Sequence, residues 1–75
     1  MFHTIQFTKQ LSVVLLVSLK QPLQRLFIRK GTRLNACIKP YVAETEDGFV
    51  EMADLSFEDG STTSRVPFSC FSFVE

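Results

Sequence analysis

The chain is poor in the residues that most chemistry needs. In 75 residues there is one histidine, two cysteines, three glycines and no tryptophan. A nucleophile needs a base within hydrogen-bond reach, and the only imidazole is His3. Ser and Thr are plentiful but have no such base. Cys37 and Cys70 together with His3 fall short of a four-ligand zinc set, and two cysteines are too few for a disulfide scaffold. They are expected as reduced thiols in a cytoplasmic protein, with a single bridge between neighbouring strands as the alternative. The isolated glycines Gly31, Gly48 and Gly60 suit caps and turns, not a phosphate-cradling loop. The carboxylate pairs Glu46/Asp47 and Glu58/Asp59 each precede a glycine, where Asp serves local turn hydrogen bonds, and neither has the alternating spacing of a calcium loop. No catalytic group, cofactor or metal site is therefore expected.

Acidic residues are also missing from a long stretch. Residues 1 to 43 contain none, while Lys9, Lys20, Arg25, Arg29, Lys30, Arg33 and Lys39 all fall there. All eight acidic residues lie from Glu44 onward, opposed only by Arg65. The formal net charge of +0 is thus the sum of a basic segment and an acidic one. With 45% hydrophobic and 21% charged residues the chain is far from disordered compositions. At this length about 60% of the unfolded surface is buried on folding, which allows one small core and argues against a deep active-site cleft.

A membrane-length hydrophobic run is absent as well. Leu11 to Leu19 is apolar but bracketed by Lys9 and Lys20, about half of the roughly 20 residues that span a bilayer. It has the length of a signal-peptide core, yet Lys20-Gln21-Pro22-Leu23 follows in place of a small-residue cleavage site. An acid-free stretch with Lys, Arg, Ser and Thr also suits an organelle transit peptide. A buried strand or helix is the plainer reading, and the nine-residue length favours strand. Residues 1 to 20 are accordingly set apart as an N-terminal arm or buried strand, and 21 to 75 as one small β-rich domain.

Helix signals occur once. Pro22, then Leu23, Leu26 and Phe27 at helical spacing, Arg29 and Lys30 in the last turn and Gly31 beyond, predict a short helix over 22–30. After Gly31 the period becomes two. Leu34, Ala36 and Ile38 alternate with Arg33, Asn35, Cys37 and Lys39, a strand packed on one side, and Pro40 places its end at an edge or bulge. Asp47-Gly48 supplies the left-handed positions of a hairpin turn into a second strand, Phe49 to Phe57, with Phe49, Ala53, Leu55 and Phe57 on one face. Glu58-Asp59-Gly60 repeats the turn twelve residues later and opens a loop over Ser61 to Ser64. Extended chain resumes at Arg65 and is interrupted at Pro67.

These elements predict a mainly β fold: a small antiparallel meander, or an SH3-like partly open barrel, with one short helix before it. The phrase Val66-Pro67-Phe68-Ser69-Cys70-Phe71-Ser72-Phe73-Val74 resembles the end of SH3-like small barrels, where a valine-proline pair leads through a tight turn into a last short strand. The resemblance covers nine residues and implies fold only.

By parity, Val66, Phe68, Cys70 and Val74 form one face of this last segment and Phe71 and Phe73 the other. The first set is expected in the core. Phe71 and Phe73, with Arg65, are the candidate partner-binding patch of a non-enzymatic protein interaction module or accessory subunit, binding another protein or a second copy. A base-stacking role for the Phe cluster is disfavoured by its acidic surroundings. The alternative is a small barrel that binds nucleic acid through Arg29, Lys30, Arg33 and Lys39, which the helix end and the outward strand face would bring together. Internal pairing with Glu44, Glu46, Asp47, Glu51 and Glu58 competes with that reading. A membrane anchor over Leu11 to Lys30 is the weakest option, because the run lacks amphipathic alternation.

Overall fold

The computed structural model describes residues 1–16 and 23–74. Over these residues it is mainly β, with seven antiparallel strands and one turn of 3-10 helix. The strands are β1 (His3–Phe7), β2 (Leu11–Leu15), β3 (Gln24–Ile28), β4 (Arg33–Thr45), β5 (Gly48–Phe57), β6 (Thr62–Pro67) and β7 (Phe71–Phe73), with the 3-10 turn at Phe68–Cys70. Five strands make one sheet in the order β6-β5-β4-β1-β7, and β2 and β3 form a separate two-stranded ribbon. The sheets do not close into a barrel. One bridge joins them: Leu16 and Thr62 exchange backbone hydrogen bonds of 2.9 and 3.0 Å.

β1 lies inside the five-stranded sheet, antiparallel to β4 on one side and to β7 on the other. The alternation His3, Ile5, Phe7 against Thr4, Gln6 explains why. Ile5 and Phe7 point inward and are wholly buried, each worth about 1.5–3 kcal/mol of transfer free energy. Thr4 and Gln6 face outward and bond to Asn35 (2.7 Å) and Arg33 (2.9 Å). Around Ile5 and Phe7 gather Ala36, Ala53, Leu55, Val66 and Phe71 from the same sheet, and the ribbon closes over them with Val13 and Ile28.

The expected helix over 22–30 is corrected by β3. Gln24–Ile28 pairs with Leu11–Leu15 in continuous antiparallel register, while Pro22 lies outside the described residues. A helix would bury Leu23, Leu26 and Phe27 together. The strand instead turns Leu26 and Ile28 inward and leaves Leu23 and Phe27 exposed at 64% and 59%. The period-two set Leu26/Ile28 meets an equally apolar partner in β2, and sheet pairing along five residues outweighs a weak local helix preference. The apolar run starting at Leu11 is likewise a strand as far as Leu15; its continuation at 17–19 lies outside the described residues.

β4 runs on for five residues past Pro40. This is tolerated because β1 pairs with β4 only as far as Ala36, so at Pro40 the sole ladder partner is Ala53 of β5. The β4–β5 turn rests on one left-handed residue, not two. Gly48 has φ 101° and Asp47 does not enter that region, while the Thr45 hydroxyl accepts from the Asp47 amide at 3.2 Å and donates to the Gly48 carbonyl at 2.9 Å.

The second Glu-Asp-Gly is also a turn, but the loop after it is shorter than expected because β6 already begins at Thr62. Ser61 and Thr63 are buried polar residues, and both are satisfied. Ser61 donates its amide and hydroxyl to Asp59 Oδ1 (2.9 and 2.5 Å), and Thr63 donates to the Val14 carbonyl at 3.0 Å, a second tie between the ribbon and the sheet.

Candidate interaction surfaces

The expected patch of Phe71, Phe73 and Arg65 is not one surface. Phe71 is 5% exposed and belongs to the core, packed against Phe7 and Phe68 at ring-centroid distances of 6.1 and 5.2 Å. The 3-10 turn Phe68–Cys70 is the reason. It breaks the two-residue period between Val66 and Phe71, so both point inward, whereas Cys70 and Phe68 are half-buried and Val74 is exposed. Phe73 is half-exposed on the rim, edge-on to His3 at 5.7 Å. Arg65 is elsewhere, on a bulge of β6. Ala53 pairs with Val66 and Leu55 with Thr63, so Ser64 and Arg65 together oppose Asp54. Arg65 takes φ 60°, unusual for a residue with a side chain, and its amide reaches Asp54 Oδ1 at 3.4 Å.

The candidate nucleic-acid residues divide in two groups. Arg29 and Lys30 flank the turn into β4, and Arg33 follows at the strand's start. Lys39 lies on the same outward face as Arg33 but six residues along, about 20 Å away at strand rise, and stands opposite Asp54 in register. Between them the outward face carries Asn35, whose amide donates to Glu58 at 2.7 Å, and half-buried Cys37. Both cysteines are unbridged. Cations and carboxylates are interleaved on this face, as on an ordinary solvated sheet surface.

Two other surfaces are less ordinary. The first is the outward face of the β2–β3 ribbon. Ser12 and Val14 share it with Phe27 and Arg25, through the pairings Ser12 with Phe27 and Val14 with Arg25, and Leu16 and Leu23 stand just past the paired residues. All four apolar residues are exposed. Arg25 Nη1 donates to Ser12 Oγ at 3.2 Å, which holds the cation across the ribbon beside Phe27. A groove of about 450 Å³ separates this ribbon from β6 and is lined by Val14, Leu16, Leu23, Thr63 and Arg65 among others. Among the described residues β3 has no ladder partner but β2.

The second is the outer half of the β4–β5 hairpin, Tyr41 to Glu51. β1 leaves β4 at Ala36 and β6 leaves β5 at Met52, so among the described residues this arm pairs only with itself. One of its faces carries Val42, Glu44, Phe49 and Glu51, in the cross-strand pairs Val42 with Glu51 and Glu44 with Phe49. Phe49 is 76% exposed and Val42 62%. Phe49 was expected on the core face with Ala53, Leu55 and Phe57. It has the right parity, but the strand at that point has run past the sheet that would cover it. The arm contains Glu44, Glu46, Asp47 and Glu51 and no cation. At its base a cleft of about 310 Å³ lies between Pro40, Tyr41, Val42, Glu51 and Phe68.

Sequence reasoning passed over Phe27 and Phe49 as interaction residues. Phe27 carried a signal in hindsight, as the large apolar residue out of phase with Leu26 and Ile28. Phe49 carried one in its position directly beside a charged turn. Among the described residues no group of three or more His, Cys, Asp or Glu is placed to hold a metal ion, and no helix is long and apolar enough to cross a membrane. No family model, curated protein or solved structure matches the chain.

Proposed function

We propose that the chain is a non-enzymatic protein interaction module, acting as a small accessory or regulatory subunit. The observation that carries this reading is the outward face of the β2–β3 ribbon, where Val14 and Phe27 are exposed with Leu16 and Leu23 exposed beside the strand ends, on a two-stranded unit whose β3 edge has no other ladder partner among the described residues. Contiguous apolar side chains on one face mark contact sites, and an unpaired edge offers main-chain hydrogen bonds to an incoming strand. An SH3-like arrangement is the finer fold reading we attach to the tail, where Val66-Pro67 leads through the 3-10 turn into β7.

Nucleic-acid binding is the alternative, and it is supported less. Arg29, Lys30 and Arg33 cluster at one turn, but Lys39 is remote and faces Asp54, and Phe71 is unavailable for stacking. The test is retention of a binding partner by wild type and by Phe27→Glu, with light scattering on both. A specific protein or second copy held by wild type and lost in Phe27→Glu at unchanged Tm is expected. A strict monomer that retains nothing would overturn the proposal, and an oligonucleotide titration whose affinity falls steeply with salt would favour the alternative.

A further inference from the structure

We infer that the acidic β4–β5 arm of one molecule docks on the basic β2–β3 ribbon of another copy, giving head-to-tail self-association. This rests on the interaction-module reading and names its partner. The two surfaces are alike in construction and opposite in charge. Each is a two-stranded antiparallel unit presenting an exposed phenylalanine, Phe27 on the ribbon and Phe49 on the arm, next to an exposed aliphatic residue, Val14 or Val42. The arm holds Glu44, Glu46, Asp47 and Glu51 without a cation. The ribbon and the turn after it hold Arg25, Arg29 and Lys30 without an acid.

Symmetry then selects among the possible pairings. Ribbon on ribbon brings Arg25, Arg29 and Lys30 against their own copies, and arm on arm does the same with four carboxylates. Only arm on ribbon sets opposite charges together over apolar contacts. Within one molecule the arm grows from the end of β4 opposite to the turn at Arg29–Thr32, so the basic turn and the acidic tip lie at opposite ends of the same strand. Such a contact is heterologous. After one pairing the complex as a whole keeps one arm and one ribbon unsatisfied, so association continues into a ring or an open chain. Added salt weakens it by screening the charges.

The test uses wild type, Phe49→Lys in the arm and Phe27→Glu in the ribbon, followed by sedimentation velocity over a concentration series at low and high salt. Both side chains are exposed, and circular dichroism confirms that the variants fold; Val14→Glu, on the same ribbon face, replaces Phe27→Glu if that variant does not. Wild type is expected to grow in mass with concentration at low salt and to revert toward monomer at high salt. Each variant alone is expected to stay monomeric. Their equimolar mixture is expected to form a one-to-one dimer and stop there, because the mixture contains one intact arm and one intact ribbon. A wild type that is monomeric throughout, a single variant that still dimerises with itself, or a mixture that stays monomeric overturns the inference. A monomeric wild type that still holds another protein through Phe27 overturns this pairing and leaves the interaction-module reading standing; retention of nothing removes both.

Discussion

The ribbon and the arm are both two-stranded antiparallel units, both carry an exposed phenylalanine, and both have an edge without a ladder partner among the described residues, yet they are anchored differently. The ribbon has two faces with different tasks. Val13 and Ile28, with Leu11, Leu15 and Leu26 around them, close the core over Ile5 and Phe7, and only the reverse face meets solvent. The arm has no share in that central cluster. It continues the sheet as β4 and β5 outlast their neighbours, and is held by their mutual ladder and the turn at Gly48. The ribbon's exposed face is therefore backed by the whole core, whereas the arm's exposed face is backed by one pair of strands. A two-stranded unit is marginal by itself, which places the arm at the low-stability end of the molecule.

Breaking the ribbon's anchor is expected to have the largest effect. Ile28→Ala removes a side chain that is 3% exposed and should cost about 2–5 kcal/mol. That is a large part of the total stability of a chain this size, roughly 4–11 kcal/mol at typical values per residue. Urea unfolding with the midpoint falling and the slope unchanged checks it. If the loss is below about 1 kcal/mol, the ribbon is not integral to the core and the contrast with the arm disappears.

The arm is probed at Gly48. A Cβ added there meets nothing within 4 Å, but φ is 101°, so Gly48→Ala pays only for backbone strain, about 1–2 kcal/mol. Because the arm stands outside the core, the strain should appear locally. Hydrogen exchange is expected to speed up at amides between Val42 and Val50 while Ile5, Ala36 and Leu55 keep wild-type protection. Uniform loss of protection in both groups would mean that arm and core unfold as one unit.

The smallest effect concerns the turn that leads into β6, the strand to which the ribbon is tied. The Ser61 hydroxyl, and then the Ser61 amide, hold the Asp59 carboxyl below the usual carboxylate range. A folded-state pKa below the unfolded one gives stability that is present above the ordinary Asp value near 4 and lost as pH falls through the folded value. Asp59→Ala should therefore lower Tm slightly at neutral pH and differ less from wild type as the pH falls through the folded value. A Tm difference independent of pH would assign the effect to turn geometry and not to charge.

Much of the sheet was legible in the chain. The alternation Leu34, Ala36, Ile38 and the two Glu-Asp-Gly turns locate β4, β5 and the approach to β6, because a strand covered on one face writes its period directly. Segments read less well where the cover changes along their length. Burial along β4 passes from Leu34 and Ala36 on one face to Tyr41 and Ala43 on the other as the strand leaves its neighbours. The 3-10 turn after Pro67 resets the phase, which is why parity puts Phe71 outside whereas the structure buries it. In β3 the spacing of Leu23, Leu26 and Phe27 imitates a helix, and the choice between helix and strand was made by the apolar partner in β2. Of the candidate surfaces, composition showed the charges but not the phenylalanines that accompany them.

The sequence by itself determined that the protein is mainly antiparallel β, that it is poor in reactive groups, and that its charge is divided into a basic first part and an acidic second one. These follow from residue types and local periods, which need no distant partner. Only the tertiary structure decided which phenylalanines are buried, that His3–Phe7 is an inner strand, and that the two charges end on separate two-stranded units. Those outcomes depend on where one strand outlasts the next, a long-range fact that no local pattern records.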